Sequence, residues 1–167
     1  MTTTSHFGVT HEHKPLDVVE QIASTNDWLF DRRNDDEMAV QVPGRWCDYS
    51  LYFAWNDEAS ALHVTCAFDM RVPDERRKLV HELLALINEK LWLGHFGMWE
   101  DDGLPLFRHA LPLRGQGGPT VEQMEDVVDT ALVECERFYP AFQYVIWGGR
   151  TPLDAMTLSM IETVGEA

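Results

Sequence analysis

Seven histidines are the first residues to weigh as ligands or bases. His11 and His13 flank Glu12 near the amino terminus and could hold a metal only adventitiously. His95 and His109 bracket a candidate hairpin, and a three-residue loop centred on Asp102 would set the two imidazoles opposite each other. Two cross-strand imidazoles can chelate, but zinc takes four N, S or O ligands, and no Cys or carboxylate is spaced to complete the set. Glu100-Asp101-Asp102 is a run of carboxylates ahead of Gly103. It reads as a hairpin tip, since Asp stabilises turns through its own side chain, and magnesium would need further oxygens from elsewhere. Gly115-Gln116-Gly117-Gly118 precedes a helix as a phosphate cradle does, yet no Lys follows it and no G-x-G-x-x-G is completed, so it reads as a connector. No G-x-S-x-G occurs. The expectation is therefore no catalytic residue, no metal and no cofactor. An unrecognised active site would be sought around His95, His109 and Asp101.

Cys47, Cys66 and Cys135 make an odd count with no C-x-x-C. The first two fall on the apolar phase of neighbouring strands, and Cys135 falls on a helical apolar stripe. A hairpin symmetric about Asp57-Glu58 sets Cys66 opposite Ser50 or Leu51, not Cys47, which disfavours a disulfide between them. Three reduced core thiols are expected, and with them a cytoplasmic address. No amino-terminal signal and no run of about 18 apolar residues is present.

Thirteen Lys and Arg against 28 Asp and Glu give the 167-residue chain a formal charge of −15. That balance argues against nucleic acid, whose binders cluster cations, and against anionic membrane surfaces. Residues 119–167 hold nine acids against Arg137 and Arg150. They form either a solvated helix face or a negative surface for a basic partner, where complementary potential speeds encounter. Six Trp and four Tyr are many for one core of this size. Trp46, Tyr52, Trp99, Tyr144 and Trp147 are hard to place together, and Trp and Tyr are favoured interface anchors. Trp99, Tyr144 and Trp147 are the candidate partner surface.

These residues must be carried by the elements that the periodicity predicts. Residues 1–14 read as a flexible tail, 15–163 as one domain and 164–167 as a second tail. Leu16, Val19, Ile22 and Ala23 recur at helical spacing after Pro15. Strands follow at Leu29–Arg33, Glu37–Val42, Trp46–Trp55 and Leu62–Met70, the last three alternating as a sheet with one wet face does. A helix from Pro73 carries Val80, Leu83, Leu84, Ile87 and Leu91, and Gly94 ends it. His95–Glu100 and Leu104–Leu111 form the second hairpin, where Pro105 suggests an edge strand. Thr120 caps a long helix that Pro140 should kink or end, Ala141–Trp147 continues helically, and Thr151-Pro152 starts a last short helix. The order α-β-β-β-β-α-β-β-α-α, with strands arriving in runs, points to an α+β fold: an antiparallel sheet with helices packed on it.

Two segments, WEDDGLPLFRHALPLRG at Trp99–Gly115 and ECERFYPAFQYVIWGG at Glu134–Gly149, resemble the YbjN-domain family of bacterial proteins. The likeness runs over about residues 15–160. It implies a fold like that of type III secretion chaperones, often dimeric, and a role as a sensory transduction regulator; no active-site residue carries over. The expectation is thus a non-enzymatic, chaperone-like regulatory protein of the bacterial cytoplasm, a homodimer that binds a partner protein, with stress or sensory regulation as its setting. A regulator that binds a small ligand between sheet and helices is the alternative, and an enzyme with an unrecognised site is the second.

Overall fold

The computed structural model describes residues 14–164. The segments 1–13 and 165–167, which hold most of the two expected tails together with His11 and His13, lie outside the described residues. The chain runs α1 (Pro15–Thr25), β1 (Leu29–Arg32), β2 (Glu37–Pro43), β3 (Asp48–Asn56), β4 (Ala61–Ala67), α2 (Arg77–Asn88), β5 (His95–Met98), β6 (Pro105–Pro112), α3 (Val121–Ile146) and α4 (Pro152–Val164). A single 3-10 turn at Asp74–Arg76 leads into α2. All strand pairs are antiparallel, in the order β1-β2-β3-β4-β6-β5. This is the α+β architecture and element order that the periodicity predicts.

Alternation decides which sheet face is dry. Met38, Val40 and Val42 of β2, Tyr49, Leu51 and Phe53 of β3, and Leu62, Val64 and Cys66 of β4 are buried in one core with the apolar stripes of the helices. Cross-strand partners share this face, so Val40 sits opposite Leu51 and Leu51 opposite Cys66. Phe96, Phe68, Phe138 and Phe142 meet at its centre with ring centroids 5.2–6.0 Å apart. Edge-to-face pairs such as Phe68–Phe142 are the arrangement that ring quadrupoles favour.

Two expectations about proline are corrected. Of the kink or end expected at Pro140, the end does not occur, and α3 continues through it over 26 residues. An interior proline costs about 3 kcal/mol. Here it lies between Phe138, Tyr139, Ala141 and Phe142, all of them buried. Burying each large side chain contributes about 1.5–3 kcal/mol, so packing outweighs the lost helical bond. Pro105 does not mark an edge either, since β6 lies between β4 and β5. It is the first residue of its strand, where a missing N–H interrupts no ladder, and its carbonyl still accepts from Phe68 N–H at 3.2 Å. The start of α3 follows expectation. Thr120 Oγ1 accepts from Gln123 N–H and Gln123 Oε1 from Thr120 N–H, both at 3.0 Å.

The two sheet edges are treated differently. At the β5 edge, the outward backbone groups of Phe96 are bound by Asn88 from the end of α2. Asn88 Nδ2 donates to the Phe96 carbonyl at 3.0 Å, and Phe96 N–H donates to Asn88 Oδ1 at 2.7 Å. At the other edge, β1 is tied down through its side chains, with Arg32 donating to Asp17 at 2.6 Å and Glu20 at 2.9 Å on α1. The Asp17 bond is the main cause that raises the Arg32 pKa above its ordinary value.

Candidate functional site

The strand phase that points away from the helices is the largest candidate surface. Register places Asp31, Ala39, Tyr52, Thr65, Arg108 and His95 in one row across all six strands. The neighbouring row is Glu37, Ala54, His63 and Ala110, and the next is Leu29, Gln41, Ser50, Ala67, Leu106 and Gly97. Short and long side chains alternate across these rows, and Thr65, Ala67 and Leu106 among them are buried. Tyr52 stands 37% exposed and packs against Trp99, centroids 6.2 Å apart. Charge is graded along the rows. Asp31 and Glu37 lie at the β1 end, Arg108 flanked by His63 and His95 at the β5 end. Arg108 Nε is shielded from solvent and has no acceptor.

The histidine pair does not form. His95 stands opposite Arg108, not opposite His109, which faces Val64. The turn is the reason. Trp99 N–H bonds to Leu104 C=O at 3.1 Å and Gly103 N–H to Trp99 C=O at 2.7 Å, which shifts the register by one residue from a loop centred on Asp102. A one-residue shift sends a side chain to the other sheet face. Burial lowers the pKa of both His63 and His109, with Arg108 and then His95 adding to the effect at His63, and His95 at His109. Glu100-Asp101-Asp102 does form the hairpin tip. Arg77 clamps it by donating to the Glu100 carbonyl, and Gly103, at φ 64°, sits against Arg77. Among the described residues no three of His, Cys, Asp and Glu are grouped so as to hold a metal.

Beneath α3 lies a second polar cluster. Cys47, Cys66 and Cys135 are free thiols, with Cys66 and Cys135 fully buried and Cys47, just ahead of β3, half-buried. Burial pushes the Cys47 and Cys135 thiols up, away from the thiolate a nucleophile needs. Glu136 accepts from the Arg45 backbone N–H at 2.7 Å. The Tyr49 hydroxyl is buried without a hydrogen bond, and burial first, then the Glu136 charge, raises its pKa. Glu136 and Glu134, which pairs with Arg137 at 3.6 Å, therefore belong to local structure. The exposed acidic face of α3 is narrower than its composition suggests, running over Glu122, Glu125, Asp126 and Asp129.

Trp99, Tyr144 and Trp147 are not brought together. Trp99 is half-buried on the bare sheet face beside Tyr52. Tyr144 is packed against the core from α3 on the opposite side, and Trp147, at the end of α3, is 61% exposed. Trp46 is also accounted for, stacked on Tyr139 with centroids 6.1 Å apart. One aromatic escaped sequence reasoning. Trp92, in the loop after α2, is fully exposed beside the half-exposed Leu93. It falls just past the apolar stripe of α2, and only the position of the helix end at Asn88 separates it from core. Among the described residues no helix is long and apolar enough to cross a membrane.

Comparison with known proteins agrees with this geometry. No curated protein matches the chain. Among solved structures, "Crystal structure of YbjN, a putative transcription regulator from E. coli" superposes with a TM-score of 0.51 at 15% identity, covering 71% of this chain and 84% of that one. At that identity the likeness is one of fold. The profile described as "YbjN: Putative bacterial sensory transduction regulator" matches residues 15–144, the span from the start of α1 to the last turn of α3. The chain belongs to the YbjN family.

Proposed function

We propose that this protein is a non-enzymatic regulator of the bacterial cytoplasm that works as a homodimer and binds a partner protein. The observation that carries the reading is the charge-graded bare sheet face. A two-fold axis parallel to the strands, between two copies stacked face to face, sets β1 of one over β5 of the other. Asp31 and Glu37 then meet Arg108 of the second copy, and the same contact is made twice, as an isologous interface requires. Short residues such as Ala39, Ala54 and Ala110 allow the approach, and the Tyr52–Trp99 pair supplies an aromatic anchor. The partner protein is assigned to the helix side, at Trp147 with Leu153, which are 61% and 68% exposed. Such a surface suits a segment that presents apolar residues. The family's regulatory description supports a role of this kind.

Native mass spectrometry and light scattering test the dimer. The wild type is expected as a dimer, Arg108→Glu as a monomer, and Arg108→Glu with Asp31→Arg as a dimer again, because the swap restores opposite charges across the axis. A monomeric wild type, or an Arg108→Glu dimer of unchanged affinity, overturns the interface. For the partner, a protein that co-purifies with wild type should be lost with Trp147→Ala and retained with Arg150→Gln; the reverse removes Trp147 from the surface.

A further inference from the structure

One end of the sheet carries a feature that neither the dimer nor the partner surface uses. A cleft of about 560 Å³ opens there between the start of α1, the β1–β2 turn, the β3–β4 turn and the loop joining β6 to α3. That volume lies in the range of small-molecule sites. Trp55 stands in the middle, its indole N–H donating to Asp57 Oδ1 at 2.7 Å. Toward β2 lies Asp36, held by its backbone: its N–H donates to Asn34 Oδ1 and its carbonyl accepts from Trp55 N–H, both at 2.8 Å. The Asp36 carboxylate itself has no partner among the described residues, whereas the neighbouring Asp35 lies 4.0 Å from Lys14. Toward β6 lies Arg114, likewise unpaired among the described residues, followed by the loop Gly115–Gly118. Leu113 N–H donates to the Ser60 carbonyl at 2.8 Å and Gln116 N–H to Leu113 C=O at 3.1 Å, so this side is held in place too.

The loop contains a glycine that the folded chain does not explain. Gly115 and Gly118 have φ of 84° and 102°, a conformation that favours glycine. Gly117 has no such φ, and a Cβ built on it would meet nothing within 4 Å. Close approach of another molecule to the backbone is a separate reason for glycine. Among the described residues the cleft is also bipolar, with the Asp36 carboxylate and Asp57 on one side and the Arg114 guanidinium with the Gly115, Gly117 and Gly118 N–H groups on the other. An ion of one sign would meet a wall of its own sign. A molecule with both poles would meet the opposite sign twice.

We propose that this cleft binds a free amino acid or close analogue as a zwitterion. Its carboxylate lies at Arg114 and the N–H groups of Gly115, Gly117 and Gly118, its ammonium at Asp36 and Asp57, and its side chain against the Trp55 indole. The site is separate from both protein interfaces, so either reading can fail alone. Thermal melting and calorimetry of the full-length protein with each standard L-amino acid test it. At a ligand concentration about tenfold above Kd, at least one should raise Tm by about 3–6 °C. Its N-acetyl and methyl-ester derivatives, each missing one pole, should bind at least about tenfold more weakly, as should Arg114→Gln and Asp36→Asn with the intact ligand. Gly117→Ala should melt as wild type without ligand and lose binding, because its methyl stands in the open cleft. Arg150→Gln should bind as wild type. The proposal is overturned if no amino acid binds, if the single-pole derivatives bind as well as the zwitterion, or if Arg114→Gln, well folded by circular dichroism, keeps wild-type affinity.

Discussion

Replacing Asn88 by Ala is the sharpest test of how the sheet is closed at its β5 edge. An edge strand offers outward N–H and C=O groups that must find water or a partner. Phe96 is 2% exposed, so solvent reaches its backbone poorly, and Asn88 supplies both a donor at 3.0 Å and an acceptor at 2.7 Å. Removing the amide leaves two shielded backbone groups unpaired. A buried unsatisfied donor or acceptor costs roughly 1–3 kcal/mol, against about 1 kcal/mol net for a bond whose partners water can rescue. Two such groups, partly rescued because Asn88 is itself only half-buried, give an expected loss of about 2–4 kcal/mol. At roughly 2–4 °C per kcal/mol for a chain of this size, Tm should fall by about 4–16 °C. Urea unfolding should show a lower midpoint with an unchanged slope. Asn88→Asp keeps the acceptor but sets a carboxylate against the Phe96 carbonyl, so it should approach wild type only at acidic pH, where a protonated carboxyl again offers a proton. An Asn88→Ala protein within about 0.5 kcal/mol of wild type would refute the reasoning, placing that loss with ordinary surface substitutions.

Four further outcomes follow from the geometry. Gly94→Ala should destabilise by about 3 kcal/mol or more in urea unfolding, since φ is 69° and the added Cβ would run into the Phe107 ring; a loss under about 1 kcal/mol would mean that the ring yields. Tyr49→Phe removes a buried hydroxyl that has no hydrogen bond and should be neutral or stabilising by up to about 1 kcal/mol, so a clear loss of Tm would show a partner for that oxygen. His63 and His109 have folded pKa values below the ordinary one, so the unfolded chain binds more protons and stability falls as pH drops through about 6.5. Thermal melts between about pH 7.5 and 5.5 should therefore show a smaller decline for His63→Gln/His109→Gln than for wild type, and parallel curves would sink that assignment. Finally, two copies of charge −15 repel over a Debye length of about 30 Å at 0.01 M salt but only about 8 Å at 0.15 M, whereas pairs buried at the interface are screened little. Sedimentation should show the dimer strengthening over that range, and weakening instead would mean that exposed pairs dominate the contact.

The fold was legible where local chemistry and burial agree. Strict alternation along β2, β3 and β4 marks one buried face, and the turn after Asn56 narrows the partner of Cys66 to Ser50 or Leu51, of which the fold selects Leu51. Counting failed at the second hairpin. Asp101-Asp102-Gly103 marks the turn but not its length, and the backbone bonds between Trp99, Gly103 and Leu104 shift the pairing by one. The same limit applies to Pro140 and Pro105. Proline's local cost can be read from sequence, but whether neighbours such as Phe138 and Phe142 outweigh it depends on what α3 packs against. Trp92 shows the converse error: it follows an apolar stripe, and the helix stops before the stripe would have carried it inward.

The candidate sites were less legible for a reason of the same kind. None of them is a motif contiguous in the chain. The charge gradient of the bare face joins Asp31 to Arg108 through four strand pairings and exists only once every register is fixed. A single slip would move Arg108 onto the helix side and leave the face without its positive end. The cleft at Trp55 likewise draws on Asp36, Asp57 and Arg114, which belong to three different connections. The glycine loop looked like a plain connector because its neighbours in sequence hold no chemistry. Its neighbours in space are an indole and two carboxylates, and that company gives an otherwise unnecessary glycine something to make room for.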